Sequence, residues 1–172
     1  MARPPVVSVV GPSGVGKTAF LEALTRELRR RGYRVGYIKH THHRGLLPDE
    51  PGKDSYRLAR AGATVTALAG PGLLVVRSEE GVETPLCRVL ALLEGEVDIV
   101  LAEGYRSLPV PKIELYRVGV TPFPGPPAGE LLAVVGDPPP GSPIPAYRPD
   151  QTGAVADLLQ ARLGLAGEGK RP

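Results

Sequence analysis

Eight consecutive residues, Gly11-Pro12-Ser13-Gly14-Val15-Gly16-Lys17-Thr18, have the types and spacing to hold a polyphosphate. They fit the pattern G-x-x-x-x-G-K-[ST] in full. Glycines let the backbone turn so that successive N–H groups point inward and form an anion nest. A helix that starts at Lys17 adds the positive end of its dipole, and Ala19 extends the binding segment into its first turn. The Lys17 ammonium supplies a mobile charge for β- and γ-phosphates, and the Thr18 hydroxyl can ligate Mg²⁺.

A Mg²⁺ held by one hydroxyl and by phosphate oxygens calls for an acidic partner. In an open parallel sheet that partner belongs at the C-terminal end of a neighbouring strand. Glu103 follows the apolar run Ile99–Ala102 and fits; its other reading is a solvated loop carboxylate. Asp98 stands at the start of that run, about 16 Å from the far end, and reads as a strand-entry residue.

The elements that must position these groups follow from hydrophobic spacing. Pro5–Val10 is a short, apolar, β-branched run and predicts a buried strand. Lys17–Arg31 has helical spacing, with Phe20, Leu21, Leu24 and Leu28 on one stripe and Gly32 as the stop. Arg34–Lys39 predicts a second strand, so the opening is a βαβ unit with a right-handed crossover. Lys53–Ala61 predicts a short helix. Thr64–Ala69 and Leu73–Arg77 flank Gly70-Pro71-Gly72 and predict a hairpin. Thr84–Leu93 predicts a helix capped by Thr84. Val97–Ala102, Ile113–Val118 and Glu130–Val135 predict strands, Pro138–Pro149 a loop, and Asp150–Leu163 a final helix carrying Val155, Leu158, Leu159 and Leu163 on one side. The fold class is therefore α/β: a three-layer P-loop NTPase fold with a mostly parallel sheet, an inserted β-hairpin and helices on both faces. One domain over residues 1–163 is expected, with a frayed tail over 164–172.

The bulk numbers agree with a globular domain. The 172 residues carry a net charge of +3, with 42% hydrophobic and 23% charged side chains. Half of the 20 prolines fall between Thr121 and Pro149, which makes that stretch largely loop or extended chain. The positive charges are dispersed, and Arg26, Arg29, Arg30 and Arg31 read as a solvated helix face. With aromatics at 5% and no zinc or RNP-like pattern, a nucleic-acid module is disfavoured. No run of about 18 apolar residues predicts a membrane span, and Val6–Val10 is too short for a signal peptide. The lone Cys87 cannot form an internal disulfide and reads as a small buried residue, so a reducing cytoplasm is expected.

Several residues keep two readings. His40, His42 and His43 could be a metal site, but on an extended chain His43 faces away from the other two and no cysteine accompanies them; a polar loop beside phosphate or pterin is favoured. Lys53 and Asp54 are either a helix-terminal charge pair or functional groups. Gly136-Asp137 follows a strand, where a carboxylate can accept from the N1–H and 2-amino group of guanine; an Asp-Pro turn is the other reading. Tyr105, Arg106 and Lys112 lie beyond the proposed Mg²⁺ strand and could meet an anionic partner or substrate.

Beyond the P-loop, three further segments occur in order: Tyr37-Ile-Lys-His-Thr-His-His43; Pro51-Gly-Lys-Asp-Ser-Tyr-Arg57 with Ala61-Gly-Ala63; and Leu101-Ala-Glu-Gly-Tyr105 with Pro111-Lys-Ile-Glu114. From about Val6 to Leu115, more weakly to Asp137, this set resembles the MobB family, molybdopterin-guanine dinucleotide biosynthesis protein B. The resemblance implies a dimeric, GTP-binding protein of the SIMIBI branch with weak Mg²⁺-dependent GTPase activity. It also implies a partner, the guanylyltransferase MobA, which attaches GMP to molybdopterin. Carried over by motif, Gly11–Thr18 would hold the phosphates and Thr18 and Glu103 would serve Mg²⁺. Lys39 would lie near the γ-phosphate, and Asp54 would be a third group near the metal. Arg44 replaces an acid that many members carry after the paired histidines. A P-loop small-molecule kinase or ATP-dependent ligase is the competing function; nucleotide choice separates the two.

Overall fold

The N-terminal β-branched run forms β1 (Val6–Val10), and the segment with helical spacing forms α1 (Lys17–Arg30). Strand β2 (Val35–Lys39) completes the βαβ opening. There follow α2 (Asp54–Arg60), the strands β3 (Val65–Gly70) and β4 (Leu73–Ser78), α3 (Leu86–Leu92) and β5 (Ile99–Glu103). The remaining elements are β6 (Lys112–Tyr116), β7 (Leu131–Gly136), β8 (Ala146–Tyr147) and α4 (Thr152–Leu163). The structure, a computed structural model, describes residues 3–41, 51–79, 83–117, 131–138 and 141–165. The expected tail thus falls almost wholly outside the described residues.

Two compact units divide the chain: residues 1–41 with 90–172, and residues 42–89. In the first, six strands lie in the order β2-β5-β1-β6-β7-β8, and every neighbouring pair is parallel. Parallel strands of this kind need both faces covered, which explains the near-continuous apolar runs of β5 and β7. The stripe Phe20, Leu21, Leu24 and Leu28 is buried, and it joins Val155, Ala156 and Leu159 of α4 over one face of the sheet. On the opposite face Leu93 and Val97 close over Gly36, where a Cβ would stand 3.3–3.4 Å from their side chains.

Helix α1 ends as its sequence requires. Gly32 takes a positive φ of 85°, its N–H donates to Arg29 O at 3.0 Å, and Tyr33 N–H donates to Leu28 O at 3.1 Å. These two bonds form a Schellman stop. Arg31 then ties α1 to α4: it donates to Glu27 (2.7 Å), Asp157 (2.6 Å), the Gly153 carbonyl (2.8 Å) and Gln160. Bonds from Arg30 and Arg31 hold the Glu27 carboxyl down at about 2. The arginine row of α1 is therefore only partly the solvated face its charges suggest.

The second unit holds α2 and the antiparallel hairpin β3–β4, in register from Val65 opposite Ser78 to Gly70 opposite Leu73. Its side chains are exposed on both faces: Leu68 56%, Leu73 57%, Leu74 68% and Val76 55%.

Three details differ from the sequence expectations. Helix α3 starts at Leu86, beyond the expected cap Thr84; Arg88 and Val89 N–H both donate to the carbonyl of Pro85. Cys87 is exposed, because Leu86 and Leu90 take the buried side and a residue one step on lies about 100° round the helix. The proline-rich stretch also contributes β8, a two-residue edge strand paired to β7 through Val134 and Val135.

Candidate functional site

The turn Gly11–Thr18 leaves the C-terminal end of β1. Its glycines take positive φ at Gly11 (148°), Gly14 (74°) and Gly16 (105°). Gly11 has a second constraint: a Cβ there would stand 2.7 Å from the carbonyl oxygen of Leu115 on β6. Gly16 caps α1 through its own carbonyl, which accepts from Phe20 N–H at 3.0 Å, and no side chain occupies the helix end. The free N–H groups of the first turn stay available to an anion. Lys17 bends back over the turn, and its Nζ donates to Gly11 O at 3.0 Å and Pro12 O at 2.8 Å.

Strand β1 sits between β5 and β6, so the turn opens at the edge where those strands also end. Glu103, the last residue of β5, stands in register with Val9 of β1 and with Lys39 of β2. Alternation along β2 puts Tyr37 on the same face as Lys39. The Tyr37 hydroxyl donates to Glu103 Oε2 at 2.9 Å. Burial first, then the bond to Glu103, pushes the phenol up to about 12. Tyr37 and Thr18 line one cavity of about 430 Å³, together with Leu21, Glu22, Thr25 and Arg26. Thr18, Glu103, Tyr37 and Lys39 therefore meet at one corner of the sheet. A hydroxyl and a carboxylate are hard oxygen donors, and the donor set fits Mg²⁺ with phosphate and water oxygens filling its shell.

The fold has known counterparts. Residues 6–137 match the family described as "Molybdopterin guanine dinucleotide synthesis protein B". The chain belongs to the MobB family. Among MobB relatives, the molybdopterin-guanine dinucleotide biosynthesis adapter protein of Escherichia coli (strain K12) is 39% identical over 118 residues, covering 67% of this chain and 67% of the relative. The Haemophilus influenzae adapter protein is 37% identical over 118 residues, covering 68% of this chain and 66% of the relative. The match thus spans about two thirds of the length of these relatives. The Bacillus subtilis MobB crystal structure superposes with a TM-score of 0.73 at 26% identity, covering 90% of this chain and 97% of that one. The MobB homologue from Bacillus stearothermophilus gives 0.68 at 26% identity, covering 91% and 99%.

The remaining MobB-type motif residues fall as follows. Lys39 is exposed at the end of β2. Asp54 opens α2 in the second unit, where it is exposed and lies 3.8 Å from Arg57, the geometry of a helix-terminal pair. Asp137 is exposed just after Gly136, at the edge where β7 ends. His40 continues β2 with its N–H donating to Glu103 O at 2.9 Å, and its ring lies 4.6 Å from that of Tyr105. His42, His43, Arg44, Asp49 and Glu50 lie outside the described residues. Among the described residues, no helix is long and apolar enough to cross a membrane.

Two expectations about the far side of β5 need correction. Lys112 is fully buried and donates to the carbonyls of Leu108 (2.6 Å) and Val110 (3.0 Å), so it staples the β5–β6 crossover and does not face a partner. Tyr105 is 7% exposed, with a left-handed φ of 50°. The cause is strand alternation: Lys112 and Ser8 share a register position on the covered face, where Ser8 Oγ also donates to the Gly104 carbonyl. Glu114 follows on that face at 8% exposure, and burial raises its carboxyl against the opposing pull of Arg106.

Tyr37 lies within the segment Tyr37–His43, where the motif alone attaches no role to it. Its signal was available in the two-residue period of β2, which places it beside Lys39 on the face that carries Glu103.

Proposed function

We propose that this chain is a GTP-binding adapter in the conversion of molybdopterin to molybdopterin guanine dinucleotide, acting as a homodimer with a MobA-like guanylyltransferase. The observation that carries the reading is the P-loop cradle, with Lys17 over it and Glu103 beside it, in a MobB-family chain. The N–H groups of Gly11, Ser13, Gly14, Val15, Gly16, Thr18 and Ala19 line the triphosphate, Pro12 shapes the turn between them without donating, and Lys17 moves from two backbone carbonyls to phosphate oxygens. Mg²⁺ held by Thr18 and Glu103 would neutralise charge between the β- and γ-phosphates. Lys39 serves the γ-phosphate side, and Asp137 accepts from guanine. Hydrolysis on this arrangement is slow, since stabilisation of charge on the transferring phosphoryl group rests on Lys17 and backbone N–H groups without a committed base.

Calorimetric titration with GTP and ATP, with and without Mg²⁺, tests this. GTP is expected to bind more tightly than ATP, with an affinity that rises with Mg²⁺. Glu103→Ala is expected to remove most of that rise, a loss of about tenfold or more. An unchanged Mg²⁺ dependence would reject Glu103 as the ligand. Fast ATP turnover on a small acceptor would replace the adapter reading by that of a kinase or ligase.

The dimer is supported by the β3–β4 hairpin. Leu68, Leu73, Leu74 and Val76 are exposed on it, and contiguous apolar surface of this kind marks an interaction site. Leu74→Asp with Val76→Asp is expected to leave a monomer at about 10 μM in sedimentation, a concentration typical of micromolar association. A wild-type chain that sediments as a monomer at tenfold higher concentration would end the dimer proposal.

A further inference from the structure

Tyr37 has no task in the reading above, yet its hydroxyl makes the polar side-chain contact that joins β2 to Glu103. A tyrosine kept for packing alone hides its ring, whereas Tyr37 is 52% exposed. Its ring forms one wall of the cavity that Thr18 also lines. The phenol can donate one hydrogen bond, and it is aimed at a single carboxylate oxygen, Oε2, at 2.9 Å.

We propose that Tyr37 is a positioning residue for the divalent-cation site: its hydroxyl holds Glu103 Oε2 so that the other carboxylate oxygen is presented to the cation bound with Thr18 and the triphosphate. This rests on the reading of Glu103 as a Mg²⁺ ligand. A glutamate at a strand end has several rotamers, and holding one before the ligand arrives removes an ordering cost from binding. The bond runs in the right direction, because the hydroxyl donates and Oε2 accepts, which leaves the second carboxylate oxygen to face a cation. The hydroxyl lies beside a metal ligand as an outer-shell partner, and loss of such a partner costs roughly 10- to 100-fold in metal affinity.

The test uses the full chain, a fluorescent GTP analogue and a Mg²⁺ titration of its affinity for four proteins: wild type, Tyr37→Phe, Glu103→Gln and the double variant. Each midpoint is referred to that protein's own affinity in EDTA, and thermal unfolding checks the fold. Tyr37→Phe keeps the ring and loses the hydroxyl; Tyr37→Leu serves the same purpose if the phenylalanine variant aggregates. The Mg²⁺ midpoint is expected to rise about tenfold in Tyr37→Phe, and to show no further rise when Tyr37→Phe is added to Glu103→Gln. A Tyr37→Phe midpoint within twofold of wild type, with Glu103→Gln shifted, would overturn the role of Tyr37 and leave the metal ligand standing. An equal shift in both backgrounds would also overturn it, since Tyr37 would then act without the carboxylate. No shift in Glu103→Gln would remove the metal assignment and this proposal with it.

Discussion

Replacing Lys17 by alanine is expected to weaken GTP binding roughly 30- to 150-fold. A hydrogen bond to a charged group contributes about 1.5–3 kcal/mol, and about 2–3 kcal/mol of lost contact corresponds to that range at 1.4 kcal/mol per tenfold. The side chain is already at the turn, with Nζ 3.0 Å from Gly11 O and 2.8 Å from Pro12 O. It exchanges carbonyl partners for phosphate oxygens when the ligand enters, so the loss falls on binding and little of it on folding. Because Lys17 is only half-buried, the carbonyls it leaves behind can take water. Thermal unfolding of the variant should therefore stay close to wild type while calorimetry shows the affinity loss. A variant that binds GTP within about threefold of wild type, less than half of one such bond, would mean that the turn does not grip phosphate through this lysine.

The largest expected effect on stability belongs to Gly136→Ala. Gly136 has φ 116°, and an added Cβ would stand 1.9 Å from the carbonyl oxygen of Tyr116, its register partner on β6. That distance lies inside the contact radius of backbone against backbone, so the β6–β7 pairing must yield. A disfavoured backbone region costs about 1–3 kcal/mol by itself. With the clash added, the total should reach at least about 3 kcal/mol, or a melting temperature roughly 6–12 °C lower for a domain of this size. Gly141→Ala is the control: φ is also positive, at 76°, and nothing lies within 4 Å. Equal melting temperatures for the two variants would show that the close approach to Tyr116 carries no cost. Asp137 follows Gly136 directly, so the stability loss should be accompanied by weaker guanine discrimination if that carboxylate reads the base.

The phosphate turn was legible because its information is contiguous: eight residues carry the glycines, the lysine and the hydroxyl, and a strand and a helix flank them. The place of Glu103 at the end of β5 was legible by a rule of position, the acid at the far end of an apolar strand. The buried stripe of α1 followed from spacing alone. Lys112 was not legible, because its fate depends on which face of β6 the crossover covers, and a five-residue strand does not announce that. Cys87 was misread for a related reason: on a helix of two turns, a shift of one residue separates the covered side from the open one. The strand β8 was hidden by prolines, which are tolerated at a sheet edge where one N–H row faces away from any partner.

The position of β1 in the strand order bears on how this chain acquires its site. The turn is encoded within the first eighteen residues, yet the strand that carries it is flanked by Ile99–Glu103 on one side and Lys112–Tyr116 on the other. Loops of roughly ninety residues must therefore close before β1 has either neighbour, and such closures are slow compared with local helix formation. During synthesis on a ribosome the signature emerges before either neighbouring strand and becomes a working receptacle late, so termination between them yields a fragment that carries the emblem of a nucleotide binder without the ability.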